Sequence, residues 1–459
     1  MSHTLFNEFQ EVSAKEWKQK IQFDLKGADY NETLIFHSKD GISVKPFYNA
    51  EDLKESYTVS NPTFWNVCEK IYVASDSKSN KKALEVLKKG AECLWFVISS
   101  EESDLNILFK NIDLSITPIL ISFEFLSEEF FTTLLTFLSG KDHHISLQID
   151  PIGNLARSGN WYHNLKKDHE ILNSIVAKAE GFNSIISVDG TLYQNAGATI
   201  PQELAYMLAH VNEYLNHFNN DENTKTEIQL QFLTATGSNY FFEIAKLKAL
   251  RLLYASLATE YKISEKCSIL AQPSKRDKTL YDYNVNLLRT TTQSMSAILG
   301  GADNVYNSPY DAIYHKNNEF GDRIARNQLL VLKNESYFDK VSNASDGAYY
   351  IETLTQQFAE KALEIFKEIE NGGGFLKQLK EGNIQRKITE SATKEQELFD
   401  AGKITLIGTN KFQNPEDRMA NDLELYPFLK MNPKKTLIQP ILEKRLSERS
   451  EKERLKTEQ

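Results

Sequence analysis

From about residue 79 the chain repeats one alternation, a short apolar run followed by a stretch with helical spacing. The apolar runs are Leu94–Ile98, Ile119–Phe125, Ile145–Asp150, Ser184–Asp189, Ile228–Thr234, Cys267–Gln272, Asn304–Asn307 and, more weakly, Lys340–Asn343. Runs this short between turn-forming residues read as buried strands. Helical spacing covers Glu128–Leu138, His169–Glu180, Gln202–Phe218, Tyr240–Tyr261, Asn284–Leu299 and Phe320–Lys333, and Lys81–Lys89 sets Ala83, Leu84 and Leu87 on one face. Strands separated by helices run parallel, and eight of them predict closure into a (β/α)8, TIM-type barrel. A doubly wound open sheet satisfies the same alternation, because periodicity carries no information about closure.

The same reading divides the chain into an N-terminal arm (1–59), a barrel (60–390) and a C-terminal linker with a charged tail (391–459). A helix is expected over Ser13–Phe23 and a turn at Asp40-Gly41. Thr199-Ile200-Pro201-Gln202 reads as a capping box. Leu354, Phe358, Ala362, Ile365, Phe366 and Ile369 form an apolar stripe that Gly372-Gly373-Gly374 ends. Lys, Arg and Glu fill most of Leu442–Gln459, which predicts a solvated helix or frayed tail.

Composition narrows the function classes. With 41% hydrophobic and 25% charged residues the chain reads as soluble and globular, and its net charge of −10 disfavours a nucleic-acid partner. No apolar run has the length of a membrane span. Met1-Ser2-His3-Thr4 lacks the basic-then-apolar order of a secretory leader. Cys68, Cys93 and Cys267 suit neither a disulfide framework nor a zinc site, so a cytoplasmic location is expected.

Three acidic residues, Glu124, Asp150 and Asp189, end successive expected strands, where a barrel keeps its chemistry. Converging carboxylates suit a divalent cation or acid–base work, and a metal-dependent barrel enzyme is one reading. Helix caps and turns explain the same residues. No histidine joins that layer in the sequence reading, since His143 and His144 precede their strand. Gly300-Gly301 lacks the order of a phosphate loop and reads as a helix cap. Lys275-Arg276-Asp277-Lys278 is either a polyphosphate contact or a solvated loop. No G-x-S-x-G motif is present, and Cys93 sits inside an apolar strand.

The segment Asp189-Gly190-Thr191-Leu192-Tyr193-Gln194-Asn195-Ala196-Gly197-Ala198 resembles a signature of the cobalamin-dependent methylmalonyl-CoA mutases. Their catalytic chains read Ser-Gly-Tyr-His-Met-Gln-Glu-Ala-Gly-Ala there. The resemblance extends to Trp17, Asp24–Tyr30, Thr33-Leu34, Lys45–Tyr48, Asn239–Lys246 with Ala249 and Arg251–Leu253, Leu299–Gly301, Arg323–Asn327 and Ile407–Lys411. The family's active-site residues do not carry over. Leu192 replaces its histidine and has no polar atom to move a proton. Lys70 falls on the tyrosine of its Trp-Thr-Ile-Arg-Gln-Tyr-Ala-Gly-Phe segment, and Cys68 on the arginine. Ile149 falls on the glutamine of Gly-Thr-Ile-Gln-Asn-Asp, and Leu270 on the histidine of His-Cys-Gln-Thr-Ser-Gly.

The family's acyl-CoA reaches cobalamin through a barrel lined by small residues, whereas Trp95 and Phe96 are bulky on what reads as the first strand. Its cobalamin-binding domain follows the barrel and carries Asp-x-His-x-x-Gly, and the last histidine here is His315. The resemblance therefore implies the non-catalytic small (beta) subunit of a heterodimeric mutase. Its large (alpha) subunit would bind adenosylcobalamin and acyl-CoA and interconvert methylmalonyl-CoA and succinyl-CoA. A catalytic barrel of a split cobalamin-dependent acyl-CoA mutase is the alternative. The aromatic arm, Pro46-Phe47-Tyr48 included, is the expected wrapping contact.

Overall fold

In the computed structural model eight parallel strands close into one barrel. They are β1 (Asn66–Val73), β2 (Cys93–Ile98), β3 (Ile119–Phe123), β4 (Ile145–Ile149), β5 (Ser184–Asp189), β6 (Leu230–Thr236), β7 (Ser268–Pro273) and β8 (Asn304–Tyr306). Neighbours pair in chain order, and β8 returns to β1 through Asn304↔Asn66, Val305↔Val67 and Tyr306↔Cys68. The (β/α)8 expectation is met, and closure excludes the open sheet. The structure describes residues 8–53, 61–219, 229–429 and 434–458; Met1–Thr4, Ile228 and Gln459, which the sequence reading used, lie outside them.

One expected strand is wrong. Residues 340–343 form turns, and the missing strand is β1. Glu69 and Lys70 interrupt its apolar pattern, and both have partners that a linear sequence hides. Glu69 points outward to Arg326 at 3.3 Å, and Lys70 points inward, its Nζ 3.8 Å from the centre of the Trp95 ring. Cys93–Ile98 is thus the second strand. Trp95 and Phe96 also part company, because side chains alternate along a strand. Trp95 fills the interior, while Phe96 packs edge-on against Phe109 at 5.5 Å in the helical layer.

The helical shell follows its apolar faces. Leu354, Phe358, Ala362 and Ile369 of Tyr349–Asn371 are buried, and this helix packs on Ile200–Asn219 and Tyr240–Tyr261. Thr199 N donates to Gln202 Oε1 at 2.9 Å and Gln202 N to Thr199 Oγ1 at 3.4 Å, the expected capping box. In the arm, Asp40 accepts from Ile200 N at 2.9 Å and fixes the Asp40-Gly41 turn to the barrel. Helix Ala14–Asp24 carries a Ser13–Glu16 capping box yet buries none of its residues.

The expected solvated tail is instead anchored. Arg445 Nη1 donates to Lys278 O at 2.9 Å, Arg445 Nη2 donates to Pro427 O at 3.0 Å and lies 2.7 Å from Glu451. Glu448 and Glu451 of the last helix, Glu448–Glu458, are buried, and Glu451 accepts from Leu280 N at 2.8 Å. Among the described residues no helix is long and apolar enough to cross a membrane.

Candidate functional site

A chain of hydrogen bonds crosses the barrel interior. Trp95 Nε1 donates to Ser122 Oγ at 2.7 Å, and Ser122 Oγ donates to Gln148 Oε1. Gln148 Nε2 donates to Gln231 Oε1 at 2.7 Å, and Gln231 Nε2 to Ser268 Oγ at 3.3 Å. Five strands contribute, and Leu120, Leu233, Leu270 and Tyr306 pack around the chain. An unpaired buried donor or acceptor costs about 1–3 kcal/mol, so these bonds fix a filled core.

The four positions singled out by resemblance do not share one environment. Lys70 and Leu270 point into the barrel, and Leu192 lies buried in the first turn of helix Thr191–Ala196, just beyond β5. Ile149 points outward among the helices, and Gln148 is the inward side chain of β4. Counted one residue earlier, Ile145-Ser146-Leu147-Gln148-Ile149-Asp150 lies on Gly-Thr-Ile-Gln-Asn-Asp, with glutamine on glutamine. The amide is present, and Ile149 leaves the set.

The three carboxylates reach the rim, but each has its own partner. Glu124 accepts from Tyr72 OH at 2.9 Å, and Asp189 pairs with Arg157 and accepts from Thr191 N at 3.0 Å. Asp150 caps helix Pro151–Ser158 through Gly153 N at 2.8 Å and accepts from Tyr214 OH at 2.6 Å. Among the described residues no group of three or more His, Cys, Asp and Glu side chains is placed to hold a metal.

A histidine does join this layer, against the sequence reading. His210 Nε2 lies 2.9 Å from Asp150 Oδ1, and its Nδ1 lies 2.9 Å from Tyr193 OH. Burial works against the Asp150 charge, but His210 and the hydrogen bonds outweigh it and hold the carboxyl below its usual range. The available signal was His210 and Tyr214 four residues apart, on one face of one helix.

The chain's own C-terminal segment lies across the mouth. Ile441 N donates to Ala156 O at 2.8 Å, Lys444 N to Asn195 O at 3.1 Å and Leu446 N to Arg276 O at 2.9 Å. Between them Glu443 reaches Arg157 Nη1 at 3.3 Å and Lys275 Nζ at 3.1 Å. Burial opposes its charge, yet Lys275 and Arg157 keep its carboxyl below the usual range. Beside it remains an open cleft of about 570 Å³, lined in part by Arg157, Leu192, Lys275, Tyr310 and Phe428.

The basic tetrapeptide is neither a solvated loop nor a free phosphate site. Arg276, Asp277 and Lys278 are buried; Arg276 pairs with Glu395, and Lys278 Nζ donates to Asp277 and Gln293, both at 2.7 Å. Gly300-Gly301 follows helix Val285–Leu299 as a cap, with Gly301 at φ +88°, a conformation that other residues rarely adopt, and an added Cβ there would lie 2.6 Å from Asn61 Oδ1. Gly190 has a packing duty: an added Cβ would lie 2.2 Å from Met207 Sδ.

The family described as methylmalonyl-CoA mutase matches residues 71–456. The chain is 32% identical to the methylmalonyl-CoA mutase small subunit of Porphyromonas gingivalis, over 89% of this chain and 71% of the relative. It is 28% identical to a methylmalonyl-CoA mutase of Rhizobium meliloti, over 90% of this chain and 66% of the relative. It is 34% identical to a probable methylmalonyl-CoA mutase large subunit of Mycobacterium bovis, over 52% of this chain and 33% of the relative. The chain thus spans about two thirds of the length of the first two relatives. With its signature glycine packed on Met207 at the end of β5 and a family match that runs from the last three residues of β1 through the other seven strands, this chain belongs to the methylmalonyl-CoA mutase family.

Proposed function

We propose that this chain is the non-catalytic small subunit of a two-subunit, cytoplasmic methylmalonyl-CoA mutase. Its large subunit binds acyl-CoA and adenosylcobalamin and carries out the isomerisation. The filled barrel interior carries this reading. An acyl chain threading the axis would have to displace Trp95 and break the bonds through Ser122, Gln148 and Gln231. The mouth residues do not fit adenosylcobalamin chemistry either. Leu192 offers no polar atom, Lys70 stands where the resemblance places a tyrosine, and the segment around Glu443 covers the face.

Calorimetry of the purified chain with methylmalonyl-CoA, and separately with adenosylcobalamin, should show no saturable binding. Tight binding of either overturns the proposal. Leu192→His should yield no turnover without a partner, because Lys70 and Leu270 remain and catalytic groups that act as a unit do not return singly. Measurable isomerisation by this variant alone would refute the non-catalytic assignment.

The relatives include chains named as small and large subunits, which implies a two-subunit arrangement. The docking element we propose is helix Ala14–Asp24, which leaves Trp17 50% and Phe23 79% exposed. Exposed aromatics on a helix with no covered face are suited to a partner's groove. Phe47 supports Trp17, their rings 6.1 Å apart, whereas Tyr48 packs 5.0 Å from Tyr350 of its own chain. The expected contact therefore moves from Pro46–Tyr48 toward the helix.

A further inference from the structure

The barrel mouth holds one nucleophile that a subunit role leaves unused. Lys70 extends inward from β1 over the Trp95 ring, and among the described residues its Nζ has no hydrogen-bond or ion-pair partner. Burial first, then Lys275 and Arg157, drive its proton off against the pull of Asp189 and Glu443, and its pKa falls to about 8. An amine desolvated beside a second cation is the arrangement that makes lysine attack carbonyl carbon. The two cations whose charge acts on it, Arg157 and Lys275, already grip one carboxylate, that of Glu443, whose side chain stays 24% exposed.

We propose that Lys70 forms an imine with a small aldehyde or ketone that bears a carboxylate, which takes the place of Glu443 between Arg157 and Lys275. The amine nitrogen attacks the carbonyl carbon, giving a carbinolamine. The C–O bond then breaks as C=N forms, and the oxygen leaves as water with one amine hydrogen and one proton from solvent, so the nitrogen keeps its second hydrogen as a protonated imine. No oxidant or reductant enters. The protonated imine keeps a cation over the Trp95 face, where the ring quadrupole favours it. This inference stands apart from the subunit assignment, since it needs neither acyl-CoA nor cobalamin.

The test treats the full chain with glyoxylate, reduces with borohydride and maps the modified lysines by peptide mass spectrometry. At pH 7 the free-amine fraction of Lys70 should exceed that of an ordinary lysine by about a hundredfold or more. Allowing for its burial, we expect modification of Lys70 ahead of Lys166, whose side chain is 87% exposed, by about tenfold. Its initial rate should rise with pH and level off above about 8, while that of Lys166 continues to climb. Propanal, which has no carboxylate, should keep only the part of the preference that the free-amine fraction gives, so the preference with glyoxylate should be the larger, and Glu443→Gln should increase it further. Modification in order of exposure, or an equal preference with propanal, overturns the proposal. The primary comparison is made within the unaltered chain, so a poorly folding variant does not decide it.

Discussion

Replacing Lys246 by methionine should destabilise the chain by about 3–5 kcal/mol at neutral pH, the usual result of orphaning a buried charge. Lys246 lies on helix Tyr240–Tyr261, and neither it nor Glu203 has any exposed surface. Its Nζ sits 3.1 Å from Glu203 and 2.6 Å from Glu243, and it donates to Ala235 O at 2.5 Å. Burial raises the pKa of Glu203 and Lys246 opposes the rise, so removing the ammonium leaves the Glu203 carboxyl harder still to ionise. A buried carboxyl with a raised folded pKa favours the folded state at low pH and loses that favour as pH rises. The defect should therefore shrink on acidification. Urea midpoints at pH 7.5 and 5 will read it, and an unchanged midpoint at both refutes the argument. Adding Glu203→Gln and Glu243→Gln should recover most of the loss, because neutral side chains of similar shape carry no desolvated charge.

Trp17→Ala and Phe23→Ala should each weaken binding of the large subunit by about 2 kcal/mol, roughly thirtyfold in Kd. Both rings project from a helix that contributes nothing to this chain's core, so neither substitution should move the thermal midpoint of the isolated chain by more than a degree or two. That contrast separates a docking role from a folding role. Titration of the purified large subunit against each variant measures the first, and a melting curve the second. Undiminished binding by the double variant removes this helix from the interface. A full-length chain that stays monomeric beside an active large subunit sinks the partner proposal itself.

How far the sequence could be read depended on where each side chain finds its partner. Glu128–Leu138 and Tyr240–Tyr261 match the observed helices because their apolar residues recur at helical spacing, a local property. β1 escaped because the Glu69–Arg326 pair spans most of the chain, and two charges in a strand look like loop until the partner is seen. The Ile149 assignment failed for a different reason. Successive strand residues point to opposite faces, so an alignment one residue out exchanges the barrel interior for the helical layer. At the C-terminus, charge density suggested solvent, yet Arg445 and Glu451 are buried against each other. The Asp150–His210 contact depends on a helix folding back over a strand end, which no single segment encodes.

The seam that closes the barrel also sets a timetable. Asn66 and Asn304, which hydrogen-bond at 3.0 Å where β1 meets β8, are 238 residues apart. At ribosomal speeds of about 5–20 residues per second, β1 waits roughly 10–50 s for its last neighbour to leave the ribosome. Over that interval one edge of β1 is open to any passing strand. The Glu69 and Lys70 charges that hid this strand from a hydrophobic reading are suited to that exposure. Charged side chains on an unpaired strand discourage association with foreign strands until β8 arrives to cover it.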